Sequence, residues 1–127
     1  MSFVLGIDTS NYTTSCALLD TADMRVRSCK KLLPVKQGER GLRQSDAVFH
    51  HTKQLPELMK QLFDKKYDIS AVGYSYAPRC AEGSYMPCFL VGENVAQAVS
   101  LACGADLEKT SHQVGHILSL IHISEPT

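Results

Sequence analysis

The spacing of apolar residues changes near residue 45, and this change constrains the fold more than any other feature of the chain. Before it, FVLGIDTS and TTSCALLD are short apolar runs on either side of the turn formers Asn11 and Tyr12, a pattern that predicts two strands joined as a hairpin. The next segment, MRVRSCKKLLPV, alternates charged and apolar residues around Val26, Cys29 and Leu32, which predicts a third, half-exposed strand. We therefore expect an antiparallel meander at the start of the chain.

The segment that follows the change is expected to be a helix. From Ser45 to Phe63 the apolar residues recur at helical spacing, and Ser45 or Asp46 can cap the first turn. Pro56 interrupts this pattern because it lacks a backbone N–H, so we expect a kink or a helix boundary near Gln54.

The remaining segments alternate between strand and helix signals. DISAVGYSYAP reads as a strand, and CAEGSYMPCFLVGENVAQAVSLACG as a loop that becomes a helix, with Pro87 in its first turn and Gly104 at its C-terminal cap. ADLEKTS reads as a short strand, and SHQVGHILSL as the start of a helix capped by Ser111. The predicted order β-β-β-α-β-α-β-α indicates an α/β protein with a mixed sheet flanked by helices, and 127 residues correspond to one domain.

Charge and cysteine content narrow the classes of function. Thirteen basic residues balance thirteen acidic ones, so nucleic-acid binding through a large positive excess is not expected. Five cysteines without a CxxC pair, behind a start that lacks a signal peptide, predict a reducing, cytoplasmic setting in which the cysteines act as small core residues. Cys80 and Cys88 flank a loop and are the candidates for higher reactivity. The apolar runs are too short to cross a membrane.

The hairpin turn is the first candidate site. Asp8 ends a buried strand, and hydroxyl residues follow at Thr9, Ser10, Thr13 and Thr14. Such a turn can offer N–H and hydroxyl donors to phosphate oxygens, and the carboxylate can hold a hydrated magnesium ion. The alternative is a hairpin in which Asn, Thr and Ser serve only the turn geometry.

The histidines His112 and His116 are the second candidate site. Positions i and i+4 share one helix face, so both imidazoles can reach one cation, although neither His122 nor Glu125 supplies a convincing third ligand. The alternative is two polar residues at a helix start, and the sequence lacks the glutamate of an HExxH protease motif.

A further histidine pair lies on the first predicted helix. His50 and His51 are adjacent in sequence, so their side chains point about 100 degrees apart and are poorly placed to share an ion. We expect one of them to be packed inside and the other to be wet.

Three segments in order, LGIDTSNYTTSCAL, AVFHHTKQLPEL and LVGENVAQAVSLACGADLEKTSHQVGHI, resemble the amino-terminal lobe of the tRNA threonylcarbamoyladenosine transferase family, formerly called O-sialoglycoprotein endopeptidases. The resemblance covers residues 3–118. It implies a ribonuclease-H-like lobe of the actin-like, sugar-kinase-like ATPase fold. It also implies that residues 1–118 form this lobe and that residues 119–127 are a non-family tail, such as translated adapter sequence or a fusion scar.

The resemblance also implies a chemistry. The family transfers a threonylcarbamoyl group from its adenylate to an adenosine of tRNA, together with protein partner subunits. By resemblance, His112 and His116 match its metal ligands for one divalent ion, iron or zinc, and the turn from Asp8 to Thr14 matches its first phosphate-side turn, with ATP and magnesium as further candidate ligands.

Two departures from the family pattern support a second hypothesis. Where the family carries acidic residues in the turn, this chain has Asn11, Tyr12 and Thr13, and its glycine-rich loop is replaced by the bulkier residues 77–85. The first hypothesis is a transferase that is inactive as a lone lobe. The alternative is a non-catalytic paralogue that binds or scaffolds a true transferase. A lone lobe is also expected to self-associate through the apolar face left for its second half.

Overall fold

The part of the chain that the structure describes folds as a five-stranded mixed sheet with two helices. The computed structural model describes residues 2–9, 13–34, 44–77 and 87–111. In chain order the elements are β1 (Phe3–Thr9), β2 (Thr13–Asp20), β3 (Val26–Leu32), α1 (Gln44–Leu62), β4 (Ile69–Ala77), α2 (Phe89–Cys103) and β5 (Asp106–Ser111). The predicted order is confirmed as far as β5, and the last predicted helix lies outside the described residues.

The sheet joins an antiparallel meander to a parallel half. The strand order is β3-β2-β1-β4-β5, in which β1 pairs antiparallel with β2 and parallel with β4, and β4 pairs parallel with β5. A short hairpin joins β1 to β2, and a hairpin makes its two strands antiparallel. Parallel strands need a longer connection, which α2 provides between β4 and β5. β1 therefore lies at the centre of the sheet.

The core lies on one face of this sheet. Leu5 and Ile7 of β1 pair with Leu18 and Cys16 of β2, and because alternate residues share a face, these side chains all point the same way. Val72 of β4 joins them, and both helices cover this face, α1 mainly over β2 and β3 and α2 mainly over β4 and β1.

The opposite face carries small side chains at its centre. Gly6 of β1 pairs with Gly73 of β4, and a methyl group added to either would meet nothing within 4 Å among the described residues. Since parallel strands usually have both faces covered, this face is unusually open in the part of the chain that the structure describes.

Helix α1 follows the predicted apolar spacing but not the predicted boundaries. It begins at Gln44, so Ser45 and Asp46 lie in its first turn and not at a cap position. It also continues through Pro56, so a boundary near Gln54 and Leu55 is wrong, and the alternative of a kink there stays a prediction. The proline ring points outward on the exposed face, while the buried face packs onto the sheet through Leu55, Leu58 and Leu62.

Helix α2 begins and ends close to the predicted points. Cys88 is its N-cap residue, so Pro87 precedes the helix by two positions and accepts a hydrogen bond from the N–H of Leu90 (3.0 Å). Gly104 adopts φ 66°, a left-handed conformation that L side chains rarely take, and its N–H bonds to the carbonyl oxygen of Ser100. The predicted glycine cap is confirmed.

Strand β3 forms one edge of the sheet and is more exposed than predicted. Val26 and Leu32 face away from the helices, and Leu32 is 71% exposed, because residues an odd number apart from Cys29 point to the opposite face. Only Cys29 packs against the core. Arg27, Lys30 and Lys31 are exposed along the same strand.

One polar cluster fastens this edge to the end of α1. The guanidinium of Arg27 donates to the carbonyl oxygen of Leu62 (2.8 Å), to Asp64 (3.3 Å) and to the hydroxyl of Tyr67 (2.6 Å). The hydroxyl of Tyr67 in turn donates to Asp64, and its ring contacts Phe3 edge to face. The last turn of α1 is thus capped by a side chain from β3.

Candidate functional site

The candidate site lies where the carboxyl ends of the parallel strands β1 and β4 meet the amino end of α2. In open α/β sheets, ligands bind at the carboxyl ends of parallel strands, and a helix amino terminus adds N–H donors for anions. β1 ends here with Asp8 and Thr9, and β4 places Ser75 beside them. The site therefore includes the predicted hairpin turn, whose residues Ser10 to Tyr12 lie outside the described part.

Asp8 is held in position from the neighbouring strand. The hydroxyl of the buried Ser75 donates to Oδ1 of Asp8 at 2.7 Å, and the hydroxyl of Ser15 lies 3.4 Å from the main-chain oxygen of Asp8 on the other side. Asp8 itself is half-buried and lies on the sheet face opposite the helices. A carboxylate fixed in this way can present an oxygen to a cation without first losing side-chain freedom.

Thr9 connects the first arm of the turn to α2. Its side chain is completely buried, and its hydroxyl donates to the carbonyl oxygen of Cys88 (2.8 Å) and accepts from the N–H of Gly92 (3.2 Å). These two main-chain groups are four residues apart, so they are the natural partners of the first helical turn. The strand end and the helix start are therefore joined through one hydroxyl group.

Gly92 makes this close approach feasible. A methyl group added at Gly92 would lie 3.1 Å from Oγ1 of Thr9 and 3.2 Å from Cγ2 of Ile7, closer than side chains normally pack. A glycine in the first half of a helix usually costs stability. Here it lets α2 pack directly against β1.

Thr14 connects the second arm of the turn to α1. Nε2 of Gln54 donates to the carbonyl oxygen of Leu32 (3.3 Å), so Oε1 of Gln54 faces Thr14 and accepts its hydroxyl proton (3.1 Å). Because the hydroxyl has one proton, we infer that Nδ1 of His51 donates in the 2.7 Å contact with Oγ1 of Thr14. Thr14 is fully buried, so its hydroxyl fixes the start of β2 from inside the protein.

The histidine pair on α1 behaves as the sequence indicates. His51 is fully buried within the Thr14 network, whereas His50 is half-buried and contacts the ring of Phe49 edge to face. The prediction that one of them is packed inside is confirmed for His51, whereas His50, which was predicted to be wet, is half-buried.

The structure brings together only part of the predicted site. Asp8, Thr13 and Thr14 flank the turn, with Thr13 half-buried on the same sheet face as Asp8. Ser10, His112 and His116 lie outside the described residues, so the predicted metal site stays a prediction. Among the residues described, no three His, Cys, Asp or Glu side chains are grouped to hold a metal ion.

The cysteines differ from one another more than the sequence suggested. Cys16 and Cys88 are buried core residues as expected, but Cys103 is exposed, so that expectation is wrong for Cys103. Burial, and to a smaller extent the Asp8 carboxylate, raises the pKa of the Cys88 thiol to about 11, which opposes the expected reactivity. Cys80 lies outside the described residues.

The contributions of Ser75, Gly92, Gln54 and Cys88 were missed at the level of sequence. Only Gly92 carries a local signal, since a glycine inside a helical pattern often marks a close backbone contact. The others depend on long-range pairing.

Comparison with known proteins finds relatives that align with most of the chain. It is 30% identical over 119 residues to a tRNA N6-adenosine threonylcarbamoyltransferase of Campylobacter curvus, an alignment that covers 92% of this chain and 34% of the relative. It is 27% identical over 118 residues to a probable bifunctional tRNA threonylcarbamoyladenosine biosynthesis protein of Thermoplasma acidophilum, covering 90% of this chain and 21% of the relative. The chain is homologous to the amino-terminal lobe of the tRNA threonylcarbamoyladenosine transferases. It spans about a third or less of the length of these relatives. No protein-family model matches it.

The structural comparison supports the same fold. YeaZ from Pseudomonas aeruginosa superimposes with a TM-score of 0.60 over 87% of this chain and 43% of YeaZ, at 20% sequence identity. The predicted ribonuclease-H-like lobe of the actin-like ATPase fold is confirmed. No helix among the described residues is both long and apolar enough to span a membrane.

Proposed function

We propose that this chain is the amino-terminal lobe of a tRNA-modifying acyltransferase that transfers threonylcarbamoyl from its adenylate to an adenosine of tRNA. The observation that carries the proposal is the alignment of 90% or more of the chain with proteins named for that reaction. Because the chain spans about a third of the transferase relatives, activity belongs to a full-length protein with a second lobe.

The geometry of the turn supports this role. Asp8 is fixed by Ser75 at the strand ends, where a hydrated magnesium ion bound to ATP or to another phosphate would be held by a carboxylate. Thr9 bonds to α2 and Thr14 bonds to α1, so the two strand ends that flank the turn are held in place before a ligand arrives.

A metal ion is part of the proposal. His112 and His116 would supply two imidazole ligands, with the remaining ligands coming from the second lobe. Iron or zinc bound there would act as a Lewis acid toward acyl or phosphate oxygens.

The proposed partners follow from the same reaction. The substrates are tRNA and threonylcarbamoyl-adenylate, and protein partner subunits would supply the excess of positive charge that a chain with equal numbers of acidic and basic residues lacks. The proposed setting is the cytoplasm, where tRNA is modified.

A second candidate function is a non-catalytic paralogue that binds a true transferase. The observation in its favour is the turn itself, in which Asn11, Tyr12 and Thr13 stand where the resembling family carries acidic residues. Loss of those carboxylates would remove proton or magnesium binding and leave the fold intact.

Transfer assays on a full-length protein that carries this chain test both candidates. The protein is incubated with unmodified tRNA and threonylcarbamoyl-adenylate labelled in its threonyl group, and label in tRNA is counted. Asp8→Asn keeps the acceptor for Ser75 but removes the charge, so we expect at least about a tenfold loss of transfer. Asp23→Asn, at an exposed turn, is the matched control and should transfer normally.

The two candidates give different results. A full-length protein that transfers no label by itself but increases the rate of a separate transferase would support the scaffolding role and overturn the catalytic one. Metal analysis of His112→Ala and His116→Ala adds a readout that is independent of activity, since a metal site built on this pair would lose its ion in both variants.

A further inference from the structure

Two cysteines lie directly opposite each other on neighbouring strands. In the register of β2 and β3, Cys16 pairs with Cys29, and both are free thiols. Opposed residues of an antiparallel pair point to the same face, and both side chains pack against the core beneath α1. Neither residue takes part in the candidate site.

The spacing of the pair can be worked out from the ladder. The N–H of Asp20 donates to the carbonyl oxygen of Arg25 (2.9 Å), which makes that pair a hydrogen-bonded one. Such pairs alternate along the ladder, so Cys16 and Cys29, four steps further on, also form a hydrogen-bonded pair, with Cα atoms about 5.5 Å apart. This lies inside the range of about 4.4 to 6.8 Å that disulfides span.

A disulfide formed between Cys16 and Cys29 would be strained. In a hydrogen-bonded pair the Cβ atoms lie somewhat further apart than a relaxed disulfide holds them, so closing the bond would pull the strands together locally. Strained disulfides are reduced more easily than structural ones, which makes them reversible under cellular thiol conditions.

The two thiols have different surroundings. Cys16 is 2% exposed, and burial, together with the neighbouring Cys29, raises the pKa of its thiol to about 12. Cys29 is half-buried on the edge strand, where an oxidant can approach from solvent. An oxidant would therefore reach the Cys29 thiol first, and the Cys16 thiol would react with the oxidised Cys29.

We propose that Cys16 and Cys29 are a redox modification site, at which a peroxide drives formation of a reversible cross-strand disulfide. The Cys29 thiolate attacks the peroxide O–O bond and becomes a sulfenic acid, and the peroxide leaves as alcohol or water. The Cys16 sulfur then attacks the sulfenic sulfur, the S–S bond forms, and the hydroxyl leaves as water with the Cys16 proton. The two thiols lose two electrons in total, and the peroxide gains them.

Peptide mapping of the intact chain tests this directly. Trypsin cuts after Arg25, Arg27 and Lys30, so Cys16 falls in peptide 1–25 and Cys29 in the tripeptide 28–30. After hydrogen peroxide treatment at neutral pH and alkylation of remaining thiols, we expect a linked product of these two peptides. It should be lighter by two hydrogens than their sum and should disappear after dithiothreitol.

Variants provide the controls. Cys16→Ala and Cys29→Ser should each abolish the linked product, whereas Cys103→Ser, which removes the exposed cysteine, should leave it unchanged. Because the wild-type measurement stands without any variant, a poorly folding variant does not weaken the test. The proposal is overturned if wild-type protein gives sulfinic or sulfonic acid at Cys29 without the linked peptides, or if Cys29 is linked to Cys80 or Cys103 instead.

Discussion

Thr9 and Thr14 lie opposite each other at the end of the β1–β2 ladder, and their buried hydroxyl groups bind two different helices. Thr9 bonds to the amino end of α2, and Thr14 bonds to His51 and Gln54 of α1. The two strand ends that flank the turn are therefore each held by a different helix. A displacement of α2 would act on the end of β1 through Thr9, and a displacement of α1 would act on the start of β2 through Thr14.

Replacing Thr14 with valine should destabilise the protein by about 1 to 3 kcal/mol. Valine has the same shape but leaves the buried polar groups of Gln54 and His51 without the hydroxyl they share. Urea denaturation should show a lower midpoint with an unchanged slope. Ser70→Ala, which removes an exposed hydroxyl, should stay within about 0.5 kcal/mol of wild type, and an equally small effect of Thr14→Val would contradict the network.

Gly92→Ala should lower stability by about 1 to 3 kcal/mol, although alanine favours helices. The added methyl group meets Oγ1 of Thr9, which two hydrogen bonds hold in place, and Cγ2 of Ile7. Gly6→Ala is the matched control, since its methyl group meets nothing within 4 Å among the described residues and the variant should be neutral or slightly stabilising. Thermal unfolding of the two variants should therefore shift in different directions or by clearly different amounts.

Pro56→Ala should stabilise the protein. Proline inside α1 removes the N–H that would bond to the carbonyl oxygen of Thr52, and alanine restores this donor without touching the core because position 56 is exposed. The gain should not exceed about 3 kcal/mol, the difference between the two residues inside a helix. Glu57→Ala, the exposed neighbour, serves as control. A lower midpoint of Pro56→Ala in urea would show that the helix requires the proline geometry.

The carboxyl group of Asp64 should titrate below its ordinary pKa of 3.8. The hydroxyl of Tyr67 is the main cause of the lowered pKa, and the guanidinium of Arg27 adds to it. A lowered pKa in the folded state means that this contribution to stability is present above the unfolded pKa and is lost as the pH falls through the folded value. Side-chain NMR titration of Tyr67→Phe should show the pKa of Asp64 moving upward.

Arg25→Ala is the control for the titration of Asp64. Arg25 forms an ion pair with Asp23 at the surface and is not among the groups that lower the pKa of Asp64, so its loss should leave the titration of Asp64 unchanged. If Tyr67→Phe and Arg25→Ala titrate alike, the hydroxyl of Tyr67 has no role in lowering the pKa of Asp64.

Local signals in the sequence predicted much of the fold. The hairpin follows from turn formers between two apolar runs, and the end of α2 follows from Gly104, because glycine takes the left-handed conformation at little cost. A boundary near Gln54 and Leu55 was wrong because packing of Leu55, Leu58 and Leu62 against the sheet outweighs the cost of one lost helical hydrogen bond.

The arrangement of the candidate site was less predictable. Ser75 contacts Asp8 across 67 positions of sequence, and this contact exists only because β4 adds parallel to β1. Neither residue carries a local signal for that pairing. The inward direction of Thr14 likewise depends on the register of β2, since a shift by one residue would send its hydroxyl to the other face.

The predicted self-association of the lone lobe stays a prediction.

The charged edge strand affects how the protein would behave at high concentration. A free strand edge offers unpaired backbone groups to another chain, and amyloid-like fibrils grow by such additions. Lys30 and Lys31 are exposed on β3, so a second β3 brought alongside would meet charge of the same sign. Fibril growth from the β3 edge should be slow at low salt and faster when salt screens the charges of the lysines.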